Sequence, residues 1–230
     1  MAITRELYRK MKQEVITRFK ELFDNRCDLY PLLNFGEDSV RYDFFFAASE
    51  VYKLKPWQIQ LEYAMNKEAY NLRGNVNSKR KEKPMLDLII HEKNINFCVE
   101  FALFRQNSND DGSINVTERT IKMTNDMLRL ALEGHYSKRE AYFVCVADDK
   151  MLGHQLRSKA LGQFPSDYDI TSTTVNTISK LTCGELDARF MSKFISHKSK
   201  IKAKLIYNEE VIGEKIKIET RLLVWKVSLI

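Results

Sequence analysis

Two apolar runs, each with one carboxylic acid inside it, constrain this chain more than any other feature. Residues 83–105 read KPMLDLIIHEKNINFCVEFALFR. Residues 85–91 and 96–103 are rich in Ile, Leu, Val and Phe, and the polar stretch EKN separates them. They predict two strands joined in a hairpin. A carboxylate without a partner is costly to bury in such a run. Asp87 and Glu100 therefore need partners or a task, which makes them the first candidate site residues. Side chains alternate across a strand, so Glu100 and Ala102 share a face, roughly 6–7 Å apart.

The rest of the chain supplies the layers for such a hairpin. Residues 4–23 carry Leu7, Met11, Val15, Phe19 and Leu22 at helical spacing. Residues 24–38 are irregular, and the aromatic run 42–52 does not decide between strand and helix. Residues 57–72 predict a helix that starts at Pro56 and carries Leu61, Met65, Glu68 and Leu72 on one side, with Glu62 beside them. Asn115, three residues before Glu118, predicts a capped helix with Ile121, Thr124, Leu128, Ala131 and Leu132 turned inward. The run YFVCVA, 142–147, reads as a central strand covered on both faces.

Beyond it, Asp148 or Asp149 is expected to cap a helix bearing Leu152, Leu156 and Ala160. Thr182 with Glu185 is expected to open another, through Leu186, Phe190 and Phe194. The tail alternates from Ile216 to Val224, then changes parity at Trp225, which predicts a bulge or sharp twist. Together these predict one mixed α/β domain over 1–230, a sheet covered by helices, with residues 185–230 as a helix-plus-strand extension.

A chain of 230 residues with 44% hydrophobic and 30% charged residues can bury a substantial core and keep a charged surface. No apolar run reaches membrane-spanning length, and the first residues lack the core of a signal peptide. Cys27, Cys98, Cys145 and Cys183 form no CxxC pair, so reduced thiols and a cytoplasmic location are expected, without zinc. The formal charge of +6 permits a nucleic-acid partner without requiring one. Basic residues gather at Lys79, Arg80, Lys81 and Lys83, and again along 193–205. Each cluster is equally well read as solvated surface.

Two acids from adjacent strands can converge on one magnesium or manganese ion, with water and phosphate oxygens completing the shell. A lysine beside them would orient the attacking water or offset the growing negative charge. The run LDLIIHEKNINFCVEFAL resembles the core of the PD-(D/E)xK nuclease superfamily, the restriction-endonuclease-like fold, over about residues 57–147. The resemblance implies that core, with N-terminal helical and C-terminal strand additions. It also implies a metal-dependent endonuclease acting on nucleic acid, DNA ahead of RNA, often as a homodimer, in restriction, defence or a mobile element.

The family's first acid falls on Asp87, preceded by Leu86 rather than proline. Its second acid falls on Glu100. Its helical glutamate falls on Glu62 or, less well, Glu68. Its lysine falls on Ala102, where this chain departs from the pattern. Alanine there is open to three readings: an inactivating substitution of a native lysine, a lysine moved elsewhere, or a degenerate site that binds nucleic acid or protein without cutting. Some relatives, viral cap-snatching endonucleases among them, supply the lysine from a helix, which makes Lys122 the candidate here. Arg105, Gln106 and Asn107, just after the Glu100 strand, are candidates for gripping the substrate backbone.

Each residue also has a plainer reading. Lys122 can form a surface ion pair with Glu118, Glu62 can be an ordinary surface acid, and the two strand acids can pair with Arg105 or Lys122. The aromatic stretch 44–46 or the C-terminal strands could form a dimer contact.

Overall fold

The computed structural model describes residues 5–72, 83–106 and 113–230, with side chains from residue 13 onward in the first helix. That helix, α1 (Arg5–Leu29), runs past the expected stop near Phe23. Val15, Phe19, Phe23 and Cys27 repeat every fourth residue and are all buried, so the inward stripe continues through the polar stretch after Phe23. The aromatic run left undecided by its periodicity is helical. α2 (Glu37–Tyr52) buries Val40, Phe44, Ala47 and Ala48. Phe44 therefore belongs to the core while Phe46 is exposed.

The helix expected over residues 57–72 does not form. Pro56–Gln58 makes a single 3-10 turn, and the chain continues as strand β1 (Ile59–Ala64). The stripe of Leu61, Met65 and Leu72 fits a helix, but pairing along β2 decides the outcome, since Ile59, Leu61 and Tyr63 lie opposite Ile90, Leu88 and Leu86. Leu72, expected on the buried side, is exposed.

The hairpin forms as expected from β2 (Met85–Glu92) and β3 (Ile95–Phe104), antiparallel about a turn at Lys93 and Asn94. Next comes α3 (Val116–Ser137), whose Asn115 side chain accepts a hydrogen bond from the Glu118 N–H at 3.1 Å. It crosses over to β4 (Glu140–Asp148), which lies parallel to β3.

No helix follows Asp148. Its carboxylate instead accepts the N–H groups of Lys150 (3.1 Å) and Gln106 (2.6 Å), and residues up to 163 form a small ribbon of β5 (Gln155–Leu156) and β6 (Gly162–Gln163). After β7 (Tyr168–Ile170) come α4 (Ser172–Leu181) and α5 (Ala188–His197). Thr182 closes α4, and Asp187, not Thr182, caps α5.

β8 (Ile201–Glu210) and β9 (Thr220–Leu229) complete a seven-stranded mixed sheet, in the order β1-β2-β3-β4-β9-β8-β7. The parity change in the tail has a simple cause: β9 is buried on both faces. Leu222 and Val224 face the core under α1 and α2, while Leu223, Trp225 and Val227 face the core under α3. A register shift does occur beside it, on β8 between Leu205 and Tyr207.

The loop between β8 and β9 folds against the end of α1. Gly213 is required there, because a Cβ would come within 2.5 Å of the Cys27 Cβ. The C-terminal strands are thus part of the one sheet and bear directly on the N-terminal helix.

Candidate functional site

Asp87 and Glu100 sit where β2 and β3 part. Backbone pairing runs up to Leu88 opposite Val99 and then gives way. From there the Asp87 carboxylate spans the gap, its Oδ2 accepting the Phe101 N–H at 2.8 Å. Arg129 of α3 enters the same opening and donates to the Met85 carbonyl at 3.1 Å. Glu62 lies on β1 between residues paired with Leu88 and Leu86, level with Asp87. The three acids therefore form a row across neighbouring strands, although Glu62 belongs to a strand and not to the expected helix. Its backbone is left-handed (φ 50°), an uncommon conformation for glutamate.

Each acid meets a cation that the sequence did not single out. Arg41 of α2 spans Glu62 (2.6 Å) and Asp87 (2.9 Å). The second guanidinium, Arg129, lies 3.2 Å from Glu100 Oε2 and donates to Asp126. Lys122 is held between Glu37 (3.3 Å) and Asp126 (3.1 Å). Its i,i+4 partner is therefore Asp126 rather than Glu118. Five carboxylates, Glu37, Glu62, Asp87, Glu100 and Asp126, thus face three cations, with Asp38 reaching Arg41 only at 3.6 Å from the solvent side.

The imbalance shows in Glu100. Its side chain is 1% exposed, and neither carboxylate oxygen accepts a hydrogen bond. Burial drives its pKa well above the usual carboxylate range. Arg129 and Lys122 oppose that rise, and Asp126 and Asp87 add to it. Burial also raises Glu37, against the pull of Lys122 and with help from Asp87 and Asp126. Burial alone would lower Lys122, but Asp126 and Glu37 outweigh it and keep the ammonium charged. The site holds more carboxylates than cations, and burial, with the neighbouring carboxylates adding to it, makes two of its acids favour the proton.

Ala102 is fully buried on the α3 side of β3, so a lysine there would thread its stem through core before reaching these acids. Lys83 is exposed at the entrance to β2, whereas Lys79, Arg80, Lys81 and Asn107 lie outside the described residues. Arg105 donates to the Phe35 carbonyl at 3.1 Å, and Gln106 is buried.

Sequence reasoning missed Glu37, Arg41, Asp126 and Arg129. A signal for the last two was present: Lys122, Asp126 and Arg129 follow at i, i+4 and i+7 on an otherwise amphipathic helix, with Asp126 between the core residues Met123 and Met127.

Among the described residues, no group of three or more His, Cys, Asp or Glu side chains is arranged to hold a metal ion. The carboxylates that would hold an ion are Asp87, whose oxygens meet Arg41 and the Phe101 N–H, and Glu100, whose two oxygens are buried and unpaired. No described helix is long and apolar enough to cross a membrane. Comparisons with protein-family models, curated proteins and solved structures find no match for this chain.

Proposed function

We propose that the chain is a divalent-metal-dependent phosphodiesterase of the PD-(D/E)xK type acting on nucleic acid, weakened by alanine at position 102, with Lys122 of α3 in the lysine's role. The observation that carries this reading is Glu100, a buried carboxylate with no hydrogen bond, beside Asp87 at the parting of two strands. The order α2, β1, β2, β3, α3, β4 also supports it, being the helix–three strands–helix–strand order that the resemblance implies. On this reading Glu37 of α2 replaces Glu62 as the helical acid.

A magnesium or manganese ion at Asp87 and Glu100 would supply phosphate polarisation and a water of lowered pKa. The chain's own groups do the rest. Arg41 holds Asp87 in place, and Arg129 orients Glu100. The Lys122 ammonium offsets charge that grows on the phosphate oxygens.

A cleavage assay in manganese on supercoiled DNA, linear DNA and structured RNA tests this. Slow cutting by the unaltered chain, lost with Asp87→Ala and with Lys122→Ala, is the expected result. Faster cutting by Ala102→Lys would place the lysine role at position 102. Because Glu100 favours its proton, metal affinity should rise with pH and binding should release protons, which titration calorimetry in two buffers would measure.

The pairing of Arg41 with Asp87 and of Arg129 with Glu100 favours a second reading, a non-cutting nuclease-fold domain that binds nucleic acid or protein. It predicts no cleavage by any variant and no affinity for manganese.

A further inference from the structure

A second site adjoins the acidic row at the C-terminal end of β3. A polar cleft of about 450 Å³ opens there between Phe35, Gly36 and Glu37 on one wall and Leu103, Arg105, Gln106 and Arg119 on the other. Four features make it a place for an anion.

The N-terminus of α2, a helix of 16 residues, faces the cleft, and its N-cap Gly36 has no side chain to satisfy the first backbone N–H groups. Among the described residues, Arg105 makes hydrogen bonds only to carbonyl oxygens, at 3.1 Å to Phe35 and 3.4 Å to Gln106. Arg119 lies over the Phe104 ring at 5.7 Å, and its buried Nε has no partner. Neither guanidinium has a carboxylate partner among the described residues. Gln106 is only 7% exposed, yet its carboxamide makes no hydrogen bond there, with the Oε1 oxygen buried and unpaired. Its backbone is nonetheless fixed, through the N–H donated to Asp148 at 2.6 Å. A buried amide held in place without a partner is costly unless a ligand completes it.

Among the described residues of the wall Glu37 is the one carboxylate, and it is paired with Lys122. The cleft is therefore positive, while Glu37 joins it to the acidic row. We propose that this cleft is a phosphate subsite for a nucleic-acid strand, in which the α2 N-terminus, Arg105 and Arg119 surround one backbone phosphate and Gln106 meets the adjoining nucleotide. That the strand continues onto the acidic row rests on the phosphodiesterase reading; the phosphate site itself does not.

Fluorescence anisotropy with a short labelled single-stranded DNA, in EDTA, separates the two. Arg119→Gln should weaken binding about tenfold and reduce the slope of log affinity against log salt by about one. Gln106→Leu, which removes no hydrogen bond from the protein, should weaken it as well while melting normally. Lys202→Gln, at an exposed lysine of β8 that does not line the cleft, should bind as tightly as the unaltered chain. If both cleft variants bind like the unaltered chain, the subsite is wrong. Capture of inorganic phosphate through Arg119, without binding of the DNA, would overturn the nucleic-acid assignment. Binding that depends on Arg119, together with absence of cleavage in manganese, would keep the subsite and remove the phosphodiesterase.

Discussion

Arg129→Met should destabilise the fold by about 3–5 kcal/mol at neutral pH, because it leaves Glu100 and Asp126 buried without their shared cation. For a domain of this size that is a fall in Tm of roughly 6–20 °C. The penalty should depend on pH. The folded-state pKa of Glu100 lies above its unfolded value. Between the two, the folded state keeps a proton that the unfolded state has released, so stability falls as pH rises through that window. Losing Arg129 removes the main opposing cation and widens the window upward. Thermal melts of the variant and the unaltered chain should therefore differ least near pH 4.5 and most near pH 8. A difference that stays constant with pH would mean that Arg129 stabilises by packing, not by holding the Glu100 charge.

Glu100→Gln should have the opposite sign. It removes a buried acid that is costly to ionise and whose oxygens accept no hydrogen bond, and it leaves Arg129 its contact with Asp126. The variant should gain about 1–2 kcal/mol at pH 8 in EDTA, a rise of several degrees in Tm. It should also lose both manganese-dependent cleavage and the rise in Tm that manganese gives the unaltered chain. Gain of stability with loss of function is what a site held short of its best packing predicts. A Glu100→Gln variant that melts earlier in EDTA would instead make the Arg129–Glu100 pair structural and favour the non-cutting domain.

These effects arise from groups that were unequally legible. Asp87 and Glu100 stood out because each interrupts an apolar run, and a carboxylate there is costly whatever surrounds it. Lys122 was visible as a helical lysine but not as a neighbour of Asp126, because its i,i−4 acid, Glu118, offered an equally good local explanation. Arg41 and Glu37 carried no local signal, since their acidic and basic partners are far away along the chain. Glu62 was read as helical because its neighbours fit a helical stripe, whereas the edge of the sheet offered β1 a ladder of hydrogen bonds. The missing helix after Asp148 has a similar origin. That carboxylate caps a turn and holds Gln106, a contact from the end of another strand.

The hairpin, the capped α3, the buried β4 and the mixed α/β class were all legible along the chain. Each rests on periodicity, turn chemistry or capping over a few residues, which act before any distant contact exists. The charge balance of the acidic row, the burial of position 102, the conformation of Glu62 and the cleft at the start of α2 emerge on folding. Those depend on desolvation and on Coulomb interactions among groups brought together from four or more elements. Such energies are set by distance and burial in the folded chain, not by spacing along it.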